Sequence, residues 1–559
     1  MRVRVVFGCW LALMVTACSG ARQLPPVTER TSFVGKRTRI SAELYVMPHG
    51  KLHQNDQGLW ELYVSGNPLT RGLTNGILTQ ELLFQQEAAF VDKLHELVPS
   101  PFRQRMLRGF LRFFNRRLID YVPDEYKTEI FGISQSASNT YNFIAPPYQR
   151  LLYFHGAHDM GHALRDLALV GCSSFAAWGT HTADGRLLIG RNFDFYVGDA
   201  FSSEKVVAFI RPDQGYKHAM VTWAGMVGAV SGMNEKGLTV TINAGKSDLP
   251  YKAKTPISLL TREILQYAAT IDEAIQIARQ REVFVSEAIM VGSAADRKAV
   301  VIEVSPKKFG VYEVENNGEL LICTNHFQSQ PYVTDKNNVR QMEESHSRYR
   351  FERMNELIAA APPLTPEAAA SLLRNREGVN GIPLGYGNEK AINQLLAHHA
   401  VIFQPEDRLL WVSANPYQLG AFVAYDLKTV FSRMDTMSMS LPLDEAGLRI
   451  PEDPFMHTDT FASYEIFRQQ TRTLEAAIAD GVQIDDTVLA DFVARNPEFW
   501  KAHFLVGEYF KKRGRYHEAL RYFRAAIHKE VTTVPDRRLI EKRIKQCERW
   551  SKVKEEVEK

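Results

Sequence analysis

The sequence predicts an α+β chain in which a layered sheet domain stands between two mainly helical regions. Three observations carry this. Leu78, Leu82, Leu83, Ala88, Phe90, Leu94 and Leu97 recur at helical spacing, and that character continues to about residue 130. From Cys172 to about 430 the pattern becomes one of short strands interrupted by helices. From about 460 to the end it is helical again. With 45% apolar and 23% charged residues, the composition is that of an ordinary folded protein.

The first residues read as a targeting signal. Arg2 and Arg4 precede an apolar run, Val5 to Val15, too short to span a bilayer comfortably. Val15-Thr16-Ala17-Cys18 follows and resembles a bacterial lipobox, which implies removal of residues 1–17 and lipidation of Cys18. Ser19 resembles the outer-membrane sorting pattern of Gram-negative hosts. The expectation is an exported protein, lipid-anchored to the cell envelope. Residues 18–59 are polar and read as a tether, and 60–171 as a mainly helical pro-segment. Within it, Phe102, Met106, Phe110, Phe113 and Phe114 alternate with six arginines between Arg103 and Arg117, a pattern of either a packed helix or a membrane-facing one.

The central domain, 172–430, opens with strand patterns at Ser173–Thr180 and Leu187–Phe193, joined by the hairpin signal Ala183-Asp184-Gly185. Further strands are expected at Val206–Ile210, Ala219–Trp223 and Leu238–Ile242. A helical pair, Ile257–Ala269 and Ile271–Arg279, comes next. Strands at Ala288–Val291, Ala299–Val304 and Leu320–Cys323, a helix at Ser347–Ala360, and strands at Ala400–Phe403, Leu409–Val412 and Phe422–Tyr425 complete it. In the last region, 460–559, Leu505 to Phe510 followed by Ala519 and Phe523 resembles one tetratricopeptide unit. Such a unit cannot bury its own apolar face, so it is expected between a helix at Leu474–Ile478 and one near Leu539–Trp550.

Charge narrows the function. Lys+Arg total 67 and Asp+Glu 64, a balance that gives no support to nucleic-acid binding. Five cysteines exclude a disulfide-dense scaffold. Once Cys9 leaves with the signal and Cys18 is blocked, Cys172, Cys323 and Cys547 remain. Cys323 reads as a buried thiol on a strand.

Cys172 has chemistry around it. An antiparallel hairpin turning at Asp184-Gly185 brings it near Arg191 and Asp194, at the open end of the pair. A guanidinium beside a thiol favours the thiolate. By themselves these three residues are weak evidence and fit a buried structural cysteine better. Four motifs in order add to them: Gly171-Cys172-Ser173-Ser174-Phe175, Gly190 to Phe195 (GRNFDF), Gly232 to Leu238 (GMNEKGL) and Thr324-Asn325-His326-Phe327. Together they resemble the N-terminal-nucleophile (Ntn) amide hydrolases, in the branch of acyl-CoA:6-aminopenicillanic acid acyltransferase, choloylglycine hydrolase, penicillin V acylase and acid ceramidase. The resemblance covers about residues 172–425 and implies an αββα sandwich.

It also implies roles. Cys172 would be the nucleophile and its freed α-amine the base. Arg191 would sit beside the sulfur and Asp194 would hold the amine. Asn325 matches the family's oxyanion asparagine, Asn243 an earlier asparagine, and Arg348 a later arginine of the site. The chain would cut itself between Gly171 and Cys172, because the α-amine, with a pKa of about 7.7–8.0, exists only after that bond breaks. The implied activity is hydrolysis of a linear N-acyl amide, or acyl transfer from it, through a thioester on Cys172, without cofactor or metal. Candidate substrates are N-acyl lipids, bile-salt-like amides, β-lactam side chains, acyl-homoserine lactones and small peptides. The contrasting reading is a lipid-anchored scaffold with an inert Ntn-like core and a partner-binding C-terminal region.

Other patterns are weaker. His158 and His162 are four apart on an expected helix, with His155 nearby, but lack the glutamate of a zinc motif. His181 and His326 could pair with a cysteine in a protease. Gly225, Gly228 and Gly232 are spaced too loosely for a phosphate loop.

Overall fold

The computed structural model describes residues 35–98, 100–156, 171–248, 252–316, 318–435 and 442–557. The signal segment with Cys18, and the expected helix His158 to Val170 with His158 and His162, lie outside the described residues.

Among the described residues, two sheets form the middle of the molecule, one of eleven strands and one of six. The smaller runs, in spatial order, through Leu320–Cys323, Ser173–Ala177, Leu188–Phe193, His399–Gln404, Leu409–Ser413 and Phe422–Asp426, every neighbour antiparallel. In the larger, all pairs are antiparallel except Trp60–Gly66 with Val206–Pro212.

Side chains alternate along each strand, so one residue faces the partner sheet and the next faces away. On Val206–Pro212, Val207 and Phe209 join the core between the sheets, whereas Val206, Ala208 and Ile210 face outward onto helices. On the smaller sheet, Ile189, Val401, Phe403 and Val412 point inward. Phe175, Leu188, Ile402 and Trp411 point outward, against Met354 and Ile358 of the helix Ser347–Ala360 and Leu373 of the helix Pro366–Leu373. The outer face of the larger sheet is covered by Ile257–Tyr267 and Ile271–Gln280. The layers are therefore helix, sheet, sheet, helix: the αββα sandwich. Strands buried on both faces read as continuous apolar runs, which is why the sequence locates most of them to within two or three residues.

The tether reading of 18–59 needs correction. Thr38–Arg39, Leu44–Met47, Gly50–Gln54 and Trp60–Gly66 extend the larger sheet. The first three are short strands whose side chains, Leu52 apart, are exposed or half-buried, so they leave little alternation to read. The segment before Cys172 is thus built into the sandwich.

Helices follow at Pro68–Leu78, Gln80–Leu97, Pro101–Phe114, Asp124–Ser134 and Pro147–His155. Pro68–Leu78 starts at Asn67, whose side chain accepts from Thr70 N–H, with proline in its first turn. It crosses Asp124–Ser134 through two glycines: a Cβ on Gly72 would lie 2.2 Å from the Glu129 carbonyl oxygen. At this crossing the Glu129 carboxylate accepts from Arg71 (2.8 Å) and from Arg262 (3.5 Å), all three side chains buried. Arg71 and Glu129 precede Cys172, and Arg262 follows it. Glu129→Ala would leave Arg71 with Glu125 as its one carboxylate and Arg262 with neutral acceptors alone, a loss of about 3 kcal/mol. Urea unfolding should show it as a lower midpoint with an unchanged slope.

The C-terminal region contains the helices Asp459–Asp480, Asp486–Ala494, Trp500–Lys512, Tyr516–Ile527 and Val534–Val557. The hairpin of Trp500–Lys512 and Tyr516–Ile527 is tight, because Gly507 leaves room for the Phe523 ring. Leu474 from the preceding helix and Ile540 from the following one complete its core. That core also takes in Leu395, Tyr417 and Leu419 of the sandwich, so the region shares a hydrophobic interior with it.

Candidate active site

Cys172 immediately precedes the strand Ser173–Ala177, which pairs with Leu188–Phe193 in the register Ser173 opposite Asn192 and Ser174 opposite Arg191. That register brings the Arg191 Nη2 to 3.7 Å from the Cys172 Sγ, both fully buried. Arg191 is held in turn. Its Nη1 donates to Ser231 Oγ (2.8 Å), its Nη2 also donates to the Ile242 carbonyl, and its guanidinium lies over the Phe193 ring at 4.1 Å.

Asp194 lies just past the same strand. Its backbone carbonyl accepts from Gly171 N–H (3.1 Å). Its carboxylate is fully buried, and neither oxygen has a hydrogen-bond partner among the described residues. Burial pushes this carboxyl up to about 7, against the pull of Arg350 and Arg191. An acid raised in the folded state destabilises it as pH rises from the unfolded pKa to the folded one. Asp194→Asn, made in an uncut Cys172→Ala background, should therefore raise stability at pH 8 by on the order of 2–4 kcal/mol and have little effect below about pH 4. Thermal melts across that range would test this.

The sulfur departs from the sequence expectation. Burial pushes the Cys172 thiol up to about 11, outweighing the Arg191 guanidinium. In the intact chain Cys172 is therefore a neutral thiol.

The structure brings Asn325 into the cluster and leaves Arg348 out of it. Arg348 is exposed and paired with Glu352. The arginine of the site is Arg350, two residues on, completely buried and lowered to about 10 by that burial. Its Nη1 donates to the Cys172 carbonyl (2.6 Å) and Ser173 Oγ (2.7 Å), and its Nη2 to Asn325 Oδ1 (2.6 Å). Positions two apart on a helix differ by about 200° around its axis. Arg350 shares a stripe with Met354 and Ile358, and that helical spacing is the signal that could have found it.

Asn325 Nδ2 donates to the Ala244 carbonyl (3.0 Å) and retains a second N–H. Asn243 is adjacent but differently engaged: its Nδ2 donates to both the Cys323 (2.9 Å) and Thr324 (3.2 Å) carbonyls, tying one sheet to the other. Its side chain is thus a sheet-bridging group in this conformation, and Asn325 is the better-placed amide donor.

Among the described residues, no histidine joins the sulfur. His326 Nδ1 is bonded to Ser347 and Thr324 hydroxyls, and burial lowers its pKa to about 4. His181 sits on the Gly179–His181 turn, at the opposite end of the hairpin from Cys172. His155 has both ring nitrogens in hydrogen bonds to backbone groups of Leu151 and Val227.

One further group was not legible in the sequence. Gln394 Nε2 donates to the Gly171 carbonyl at 2.7 Å. A Cβ on residue 171 would come within 2.6 Å of that nitrogen, so a larger residue there would push the Gln394 amide aside.

Residues 180–416 match the family described as acyl-coenzyme A:6-aminopenicillanic acid acyl-transferase. The middle of the chain is thus similar to this family. The matched residues begin eight positions after Cys172 and include Arg191, Asp194, Asn243, Asn325 and Arg350. Similar curated relatives include an uncharacterized protein of Archaeoglobus fulgidus, 22% identical over 50% of this chain and 52% of its own length. Another is the N-acylethanolamine-hydrolyzing acid amidase of Caenorhabditis elegans, 23% identical over 38% of this chain and 58% of its own. The chain thus spans little more than half the length of these relatives. Among solved structures, penicillin V acylase from Agrobacterium tumefaciens is similar, with 16% identity, a TM-score of 0.31, and coverage of 46% of this chain and 92% of that one.

Proposed function

We propose that this chain is an Ntn cysteine amidohydrolase or acyltransferase that cuts itself between Gly171 and Cys172 and then takes the acyl group of a linear N-acyl amide as a thioester on Cys172. The observation that carries this is the buried convergence of Arg191, Asp194, Asn325 and Arg350 on one cysteine, with a carboxylate left unpartnered beside the bond to be cut. A structural core has no use for an orphan buried carboxylate; a newly formed ammonium at Cys172 would pair with it.

The steps follow from the groups present. After the cut, the α-amine of Cys172 removes the thiol proton, and Arg191 stabilises the resulting thiolate. The sulfur attacks the amide carbonyl. The second N–H of Asn325 and neighbouring backbone amides bind the oxyanion, each donor worth about 10²–10³ in rate. The protonated α-amine delivers its proton to the leaving amine. Water or an acceptor amine then resolves the thioester.

The substrate reading rests on location and on what similar proteins act on: a small N-acyl amide, with a lipidic acyl chain favoured by a lipid anchor at Cys18. The helix Pro101–Phe114 supports that placement, since Phe102, Met106 and Phe110 are exposed among its arginines. No helix among the described residues is long and apolar enough to cross a membrane. A docking role for the C-terminal helices remains compatible with catalysis, but their shared core with Leu395 means that deleting them would also disturb the sandwich.

The test is to incubate the purified protein with N-acyl amides of graded chain length and follow amine release together with intact mass. The expected result is a fragment beginning at Cys172 that carries one acyl group when the reaction is quenched in acid. An uncut chain that releases no amine and carries no acyl group would overturn the proposal and favour a scaffold role.

A further inference from the structure

Gln394 is separated from Gly171 by 223 residues in the chain and reaches it from the segment between the helix Pro366–Leu373 and the strand His399–Gln404. The geometry points to Gln394 as the donor that stabilises the oxyanion of self-cleavage, a catalytic role separate from that of Asn325 in substrate turnover. This rests on the self-cutting reading above.

Three features support it. First, the contact is with the reacting atom: the Gln394 Nε2 lies 2.7 Å from the oxygen that becomes negatively charged when the sulfur adds to the Gly171 carbon. Second, both groups are buried, so the donor acts without competition from water. Third, the segment is fixed before reaction. Asn192 Nδ2 donates to the Ile392 carbonyl (2.9 Å), His398 N–H donates to the Phe193 carbonyl (2.9 Å), and Asn393 Oδ1 accepts from Leu395 N–H (3.0 Å). Two of these anchors come from the strand that carries Arg191. The donor and the guanidinium beside the sulfur are thus positioned by one strand.

The chemistry balances as follows. The Cys172 sulfur bonds to the Gly171 carbon, and the carbonyl oxygen takes the negative charge against Gln394. The Gly171–Cys172 C–N bond then breaks, the thiol proton ends on the departing nitrogen, and the carbonyl reforms as a thioester. Water cleaves the thioester to give the Gly171 carboxylic acid and the free Cys172 thiol. Asn325 is not bonded to the Gly171 oxygen, so it does not supply this donor in the structure described.

The experiment follows the cutting rate of newly refolded full-length protein, by gel and intact mass, for wild type, Gln394→Leu and Gln394→Glu between pH 5 and 8.5. A glutamate keeps the shape, donates when protonated and cannot donate when ionised. The expected result is a slowing of about 10²–10³ for Gln394→Leu at all pH values. Gln394→Glu should be equally slow at high pH and approach wild type as pH falls. Melting temperatures in a Cys172→Ala background show whether each variant folds. If Gln394→Leu does not fold, the pH-dependent ratio of Gln394→Glu to wild type decides alone. A merely structural glutamine would give folded variants that cut at the wild-type rate with no such pH ratio, which overturns the inference and leaves self-cutting intact. A wild type that never cuts, or a Cys172→Ala protein that does, would instead overturn the reading beneath it.

Discussion

Cys172→Ala is expected to remain one chain through residue 559 and to lose turnover on every amide that the wild type accepts, by on the order of 10⁶ in kcat. Two losses coincide in this variant. No sulfur is left to attack the Gly171 carbonyl, and the α-amine that would serve as base is never released. Wild type should separate into a piece ending at Gly171 and one beginning at Cys172. The two should stay together on a sizing column, because Trp60–Gly66 pairs with Val206–Pro212 and Glu129 bridges Arg71 and Arg262 across the cut. Intact mass, N-terminal sequencing and an amine-release assay on the same sample check each part. A mutant that cuts, or an uncut mutant with wild-type turnover, contradicts the proposed chemistry.

Arg350→Met should have the second-largest effect. Arg350 donates to the Cys172 carbonyl, the Ser173 hydroxyl and Asn325 Oδ1, and no other group described here joins all three. Methionine fills much of the volume and donates nothing. The buried acceptors lose their partners, at about 1–3 kcal/mol each. Asn325 loses the contact that fixes its amide for an oxyanion. Turnover is expected to fall about 10²–10³-fold, with kcat affected more than KM. Asp194 also loses its strongest cationic neighbour, so the acid limb of the pH profile should move to higher pH. Arg348→Met, by contrast, removes only an exposed ion pair with Glu352 and should leave kcat, KM and stability within about 0.5 kcal/mol of wild type. Kinetics of the two variants side by side would test the assignment of the site arginine.

The sandwich was legible wherever burial imposes a strong pattern. Strands such as Ala299–Val304 are apolar on both faces, and the Asp184-Gly185 turn fixes the register that puts Arg191 beside Cys172. The strands between 38 and 54 were not legible, because short length and partial burial erase the alternation. Within the site, Arg191, Asp194 and Asn325 sit on or next to the strands that place them, so motif order led to them. Arg350 lay within reach of helical periodicity, but the motif pointed to its neighbour. Gln394 could not be found, because its contact with Gly171 joins segments that only the finished fold brings together. The direction of the Cys172 shift was equally hidden: a nearby guanidinium is visible in sequence, but the depth of burial that overrides it is not.

The shared core around Leu395 has a consequence for when the chain can act. Leu395, next to Gln394, packs into the cluster that holds Phe523 and Ile540. The same stretch is tied further by Lys390 and Asn388 to Glu530, and by the close approach of Gly385 to Phe499. These partners leave the ribosome long after Cys172. On the proposed chemistry, the segment that readies the Gly171–Cys172 bond is therefore seated only once the helices around Phe523 and Ile540 have been made. The cut then serves as a receipt for those helices: a product stalled before them keeps its amine locked in an amide.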